Sequence, residues 1–154
     1  MYNKIIGGDI VAETEKTTDE LINEIQNSRD IESYIEKNSE QFDSALLYEK
    51  ITEIMEQKRL KKSKVVARSG LNRGYTYQIF SGKRIPSRDK LLAICFGLQL
   101  SLDETDRLLR FAGYSPLYAR NKRDAIIIFA VVNKKSVFEV NGMLFENDFE
   151  ILTA

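Results

Sequence analysis

Apolar residues recur at helical spacing along most of the chain. In residues 44–58 they follow one another every three or four positions with charged residues between them, which predicts an amphipathic helix. The same pattern predicts helices near residues 17–27, 30–37, 87–98 and 101–111. Residues 124–133 are apolar on every side and also admit a buried strand, but their helical neighbours favour a helix, followed by another over 137–145. Residues 1–11 lack a helical period and predict a mobile arm or a short extended piece. The predicted fold class is all-α.

Two short helices joined by a glycine are predicted between residues 63 and 80. Ser63 is placed to cap the first helix, and Gly70 supplies a left-handed turn residue. Asn72 then caps the second helix, which ends before Gly82. A basic loop, Gly-Lys-Arg-Ile-Pro-Ser, follows and leads to Ser87 as the cap of the next helix. This is the layout of a helix-turn-helix DNA reader.

The second of these helices has two different faces. Tyr75 and Ile79 lie four residues apart and are predicted to point into the domain. The opposite face presents Arg73, Gly74, Tyr77 and Gln78. Arginine and amide side chains are well suited to hydrogen-bond base edges in the major groove, so this face is the candidate reading surface.

Over roughly residues 46–100 the chain resembles the phage-repressor/Cro-like, or XRE-type, helix-turn-helix family. A first helix, the helix-turn-helix pair, the basic loop and a closing apolar helix follow in that family's order. The resemblance implies a repressor-like five-helix bundle as the DNA-binding domain at residues 44–113. Residues 1–43 then form an acidic N-terminal arm with a helical hairpin, and residues 114–154 form a C-terminal helical extension.

The resemblance also implies positions for DNA contacts. Base contacts fall on Asn72, Arg73, Gly74 and Gln78, and the exposed position of Tyr77 adds it to this set. Phosphate contacts fall near Lys62, Ser63, Lys83 and Arg84, and the charge and position of Lys64 and Arg88 add these two. We expect Arg73 to read guanine through two hydrogen bonds and Gln78 to read adenine.

Charge is sorted along the chain although the net charge is zero. Residues 1–44 carry 4 basic and 11 acidic residues, a net charge of −7. Residues 45–123 carry 17 basic and 7 acidic residues, a net charge of +10. The remaining 31 residues carry 2 basic and 5 acidic residues, a net charge of −3. The positive segment therefore coincides with the helix-turn-helix pattern, as phosphate binding requires.

Other classes of function find little support in the sequence. The chain has 154 residues, enough for one core with extensions, and it has no histidine. Its single Cys95 lies in an apolar run and is expected in the core. No set of acids, bases, nucleophiles or metal ligands is clustered at useful spacing, so we expect neither an enzyme, nor a metal site, nor a cofactor. Without a signal-peptide pattern or a membrane-spanning run, the expected location is the cytoplasm.

Two functions remain after this reading. The first is a sequence-specific, double-stranded DNA-binding regulator of the repressor type. It would act as a homodimer through residues 126–129 and 138–145, unless those residues merely complete the core. The alternative is a helical protein-interaction adaptor that keeps the fold without reading DNA. The acidic arm is interpreted as a solvated packing extension, or as a segment that folds back on the basic surface or binds a protein partner.

Overall fold

The computed structural model describes residues 2–6, 9–13 and 15–154 and is helical from residue 18 onward. Its elements within these ranges are β1 (Tyr2–Ile6), β2 (Asp9–Glu13), α1 (Thr18–Asn27), α2 (Ile31–Lys37), a 3-10 turn (Ser39–Gln41), α3 (Asp43–Gln57), α4 (Lys62–Ser69), α5 (Arg73–Phe80), α6 (Arg88–Leu98), α7 (Leu102–Phe111), α8 (Lys122–Val132) and α9 (Val137–Glu146). The predicted all-α class is thus confirmed for the long helical part of the chain.

The first residues depart from the all-α class. Strands β1 and β2 pair antiparallel, with Tyr2 opposite Glu13 and Ile6 opposite Asp9. The extended alternative predicted for residues 1–11 is therefore the one observed in 2–6 and 9–11. The remaining positions of that prediction, 1, 7 and 8, lie outside the described residues.

Side-chain caps start most of the helices where the sequence predicts them. Three capping boxes are present: Thr17 with Glu20, Ser101 with Glu104, and Ser136 with Glu139. In the last two, the N–H of the capping serine donates to the glutamate, which lowers the pKa of Glu104 and Glu139 below the usual value. These local contacts satisfy amides that a helix start leaves free.

Helix α6 lies at the centre of the core, and α4 packs directly against it. Every residue of α6 from Leu91 to Leu98 is buried. Gly97 allows a backbone-to-backbone approach, because a β-carbon there would lie 2.6 Å from the carbonyl oxygen of Val65 and 3.3 Å from the amide of Ser69. The orientation of α4, and of the α5 helix that follows it, is therefore fixed by a tight contact.

The C-terminal helices share the same core. One cluster of buried apolar residues extends from Leu47 to Leu152, so residues 114–154 are packed on the preceding helices rather than around a core of their own. The inner faces of α8 and α9 contribute Ile127 and Leu144 to this cluster, as expected if these segments complete the core. On their outer faces, Phe129, Phe138 and Phe145 remain 53%, 64% and 74% exposed.

The acidic arm is held together by a small polar network. The Lys16 Nζ donates to Glu24 Oε1 at 2.6 Å and to Asn38 Oδ1 at 2.7 Å, which joins α1 to the end of α2. Helix α1 buries no residue. Among the described residues 15–43 of the arm, no side chain forms a hydrogen bond or ion pair with α4 or α5. The structure therefore does not show the arm folded back on the basic surface.

Candidate nucleic-acid interface

The turn between α4 and α5 has the geometry that the sequence predicts. Gly70 adopts φ +66°, and a β-carbon there would also lie 3.2 Å from Val137. The Asn72 side chain accepts a hydrogen bond from the Tyr75 amide at 3.0 Å, and the Thr76 hydroxyl donates to the Asn72 carbonyl at 2.7 Å. The first turn of α5 is thereby fixed in place, with Asn72 exposed at its start.

Arg73 stands exposed at the first position of α5 and is supported by an aromatic ring. Its guanidinium lies 5.5 Å from the centroid of the Tyr77 ring, a cation–π contact. Tyr77 is half-buried and packs edge-on against the buried Phe80 at 6.3 Å. Tyr77 therefore supports the Arg73 side chain. This contact covers part of the Tyr77 ring, which was predicted to contact a base.

Gln78 is also exposed, and it is joined to the basic loop. The Arg84 Nε donates to Gln78 Oε1 at 2.8 Å, while the Arg84 guanidinium lies 5.3 Å from the Tyr75 ring centroid. Reading adenine in the predicted way needs both the oxygen and the nitrogen of the Gln78 amide. In this arrangement one lone pair of the Gln78 oxygen is already used, and the Gln78 amide nitrogen and the remaining Arg84 nitrogens supply N–H donors.

Several of the predicted residues line one shallow concavity of about 570 Å³. Its walls are Tyr48, Lys62, Gly74, Tyr77, Gln78, Phe80, Ser81 and Lys83. The concavity thus joins three predicted base-contacting residues to two predicted phosphate-contacting residues. Tyr48, from α3, was not identified from the sequence. The available signal was an aromatic residue next to the charged outer positions of that helix.

The start of α4 differs from the prediction. Ser63 does not cap this helix: Lys61 occupies the cap position without a side-chain hydrogen bond, and Ser63 is the second helical residue. The helix begins earlier because its start is set by backbone geometry alone. Lys62, Ser63 and Lys64 are exposed there. An uncapped helix start offers free amides and a partial positive charge to an anion.

Arg88, one of the predicted phosphate-contacting residues, is engaged inside the protein. Its Nη1 and Nη2 donate to the two carboxylate oxygens of Asp124 at 3.1 and 3.0 Å. The same guanidinium donates to the carbonyl oxygens of Ser115 and Pro116. This geometry argues against the predicted phosphate contact, because the fork that would bind phosphate already binds a carboxylate.

A second ion pair lies beside that of Arg88. Arg123 donates from both terminal nitrogens to the carboxylate of Asp89, each at 2.8 Å. The two Arg-Asp dipeptides, 88–89 and 123–124, therefore pair reciprocally between α6 and α8. This contact joins the C-terminal helices to α6, the central helix of the core.

Three further features concern metal binding, membrane insertion and thiol chemistry. Among the residues that the structure describes, no three His, Cys, Asp or Glu side chains are grouped in a way that could hold a metal ion. No helix in the described ranges is both long and apolar enough to cross a membrane. Cys95 is buried, as predicted, and burial raises the pKa of its thiol to about 12.

No protein-family model matches the chain, and neither a curated protein nor a solved structure shows significant similarity to it.

Proposed function

We propose that this protein is a sequence-specific, double-stranded DNA-binding regulator of the repressor type. In this proposal α3 to α7 form a repressor-like five-helix bundle, and α5 enters the major groove. The observation that carries the proposal is the concavity around Gly74, where the exposed face of α5 meets Lys62 and Lys83. Donors for base edges and cations for phosphates are thus presented on one surface, as DNA reading requires.

The dimensions and exposure of α5 suit this role. An α-helix with its side chains is about 10–12 Å across, and the major groove is about 12 Å wide. Arg73 stands at its N-terminal end, which is where recognition helices contact bases. The Gln78–Arg84 pair lies at the other end of the exposed face and offers N–H donors to guanine or to phosphate.

Phosphate contacts are proposed for the exposed cations that flank α5. Lys62, Lys64 and Lys83 take part in no ion pair within the described part of the chain. The uncapped start of α4 adds backbone donors beside Lys62. These groups would set the position of the protein on the duplex and make its affinity depend steeply on salt.

Homodimerisation is part of the proposal, because a single module makes few contacts and a two-fold dimer doubles them. Exposed phenylalanines on α8 and α9 supply apolar surface for it. Light scattering after size exclusion should give the mass of a dimer. Phe129→Ser or Phe145→Ser should shift the mass toward a monomer, whereas Ile25→Ser, at a half-exposed position in the acidic arm, should not.

The proposal is tested by selecting bound duplexes from a random DNA pool with the purified chain. The selected duplex and a scrambled one are then compared by fluorescence anisotropy at two salt concentrations. Enrichment of an inverted repeat that binds far more tightly than the scrambled duplex supports a dimeric regulator. Absence of any enrichment, with weak binding that is equal on both duplexes, would contradict it.

The adaptor function has its own specific observation. Ile22, Ile25, Ile31 and Ile35 of the acidic arm are each about half exposed, between 47% and 54%. Such a stripe on an acidic hairpin suits a protein partner with a basic, apolar surface. If DNA selection fails, cross-linking from a photoreactive group placed at Ile25, with Glu32 as the control position, tests this second candidate.

A further inference from the structure

A second cavity, of about 650 Å³, lies away from the α5 face, where the helix-turn-helix meets the C-terminal helices. Its walls come from α4, α6, α7, α8 and α9, with Arg68, Thr105 and Val131 among the residues that line it. The volume is within the range of small-molecule sites in proteins.

The polar wall of this cleft contains a donor without an acceptor. Arg68, on α4, has its Nη1 buried with no hydrogen-bond partner. Its guanidinium also forms no ion pair with any residue in the described ranges. A buried N–H without an acceptor is unfavourable, although the Arg68 side chain as a whole is only partly buried.

A second buried polar group in the cleft also has no hydrogen-bond partner. Thr105 is 1% exposed, and its hydroxyl also has no hydrogen-bond partner. Its polar neighbour is the Cys95 thiol. The hydroxyl oxygen has almost no accessible surface, so Thr105 does not contact a molecule in the cleft.

The rest of the wall is apolar. Val131 and Phe138 line the cleft from α8 and α9, and Phe96 and Leu102 line it from α6 and α7. Phe138 is 64% exposed, so its ring has area left to cover. A ligand that fits this cleft has an apolar body as well as a polar group.

The charged residues that line the cleft determine whether the polar group of the ligand is an anion or a cation. Its two acids are already paired, since Glu104 lies 3.1 Å from Lys58 and Glu139 lies 3.6 Å from Lys135. Arg68 and Lys134 also line the cleft, and neither is in an ion pair in the part of the chain that the structure describes. The uncompensated charge is positive, which favours an anion.

We propose that this cleft binds a small amphipathic carboxylate. The carboxylate accepts hydrogen bonds from the Arg68 guanidinium. The apolar body lies against Val131 and Phe138. The binding is argued from the cleft alone and does not rest on the proposed reading of DNA.

Calorimetric titration of the full chain tests the proposal with octanoate, 2-naphthoate and the uncharged octanamide. We expect at least one of the two carboxylates to bind with a Kd below about 1 mM, and octanamide to bind at least about tenfold more weakly than octanoate. Arg68→Met should remove the preference for octanoate over octanamide. Phe138→Ser, at an exposed position, should weaken both ligands alike.

Matched controls are available outside the cleft. Arg107→Met changes an arginine whose side chain is 67% exposed, and Phe111→Ser changes a phenylalanine that is 43% exposed. Both should bind octanoate as the unaltered protein does. The proposal is overturned if neither carboxylate binds, if octanamide binds as well as octanoate, or if a folded Arg68→Met retains the preference. The comparison of the two octyl ligands on the unaltered protein holds even if Arg68→Met fails to fold.

Discussion

Cations on the α4–α5 face and cations at the α6–α8 junction differ in exposure and in pairing. On the α4–α5 side, Lys62, Lys64 and Lys83 are exposed and form no ion pair within the described residues. At the junction of α6 and α8, Arg88 and Arg123 are largely buried, and each binds a carboxylate through two nitrogens. Both groups lie in the segment whose net charge is +10.

The comparison shows why net charge alone overstates the field that a phosphate would meet. A guanidinium held by a carboxylate at 3 Å contributes little to the potential outside, whereas a free lysine contributes its full charge. The exposed lysines around α4 and α5 therefore contribute more to that field than the paired arginines do. The paired arginines have a structural role, because they attach the C-terminal helices to the domain that would read DNA.

The largest expected effect is on stability, at the paired side. Asp124→Ala removes two acceptors from Arg88 and one from the Tyr118 amide, and it leaves a guanidinium that is only 23% exposed without its partner. We expect the free energy of unfolding to fall by about 3 kcal/mol, measured by urea denaturation. DNA affinity per folded molecule should not change.

The control for this variant is Asp103→Ala. Asp103 also pairs with an arginine, Arg107, but both side chains are more than 65% exposed. Its removal should change the free energy of unfolding by less than about 0.5 kcal/mol. Equal losses in the two variants would mean that the α6–α8 junction is no more than a surface contact.

The second effect is on sequence discrimination, at the exposed side. Arg73→Ala removes the guanidinium that Tyr77 supports at the start of α5. Binding to the selected duplex should weaken by about 1 to 3 kcal/mol, and binding to scrambled DNA should weaken much less, as measured by fluorescence anisotropy. Arg107→Ala serves as the control. Equal loss on the two duplexes would remove Arg73 from the base-reading set.

Local signals explain how much of the fold could be predicted. A cap and the glutamate three residues later, as at Ser101, lie within one turn, and the hydrogen bonds that they form are the same in any helix start. The left-handed Gly70 follows from a similarly local pattern, whereas the helix over residues 124–133 was favoured by its helical neighbours. The start of α4 was misplaced because Lys61 has no such side-chain signal.

Contacts between distant residues could not be predicted in the same way. Arg88 and Asp124 are 36 residues apart, and nothing local distinguishes Arg88 from an exposed arginine. Two Arg-Asp dipeptides are a signal only once α6 and α8 are known to be neighbours. The unpartnered Nη1 of Arg68 is another such case, because it depends on five helices meeting around one cleft.

The third effect is on the salt dependence of DNA binding, which should differ between an unpaired and a paired cation. Lys83→Ala should weaken binding to every duplex alike and reduce the slope of log affinity against log salt by about 0.9, because one phosphate contact is lost. Arg123→Ala, measured where the variant is still folded, should leave the slope unchanged, since its guanidinium is bound to Asp89. A reduced slope in Arg123→Ala would show that the paired arginines also reach DNA.

The smallest effect is expected from Lys50→Ala. This variant tests whether a cation must be unpaired, or merely exposed, to contribute to DNA binding. Lys50 on α3 has a side chain that is 40% exposed, and it lies 3.4 Å from Glu53 one helical turn away. The loss of this pair should change the free energy of unfolding by less than about 0.5 kcal/mol. If pairing decides, the salt dependence of DNA binding stays as in the unaltered protein, because Glu53 already compensates the charge. A fall in slope equal to that of Lys83→Ala would instead mean that exposure alone is sufficient and that the DNA-facing surface extends onto α3.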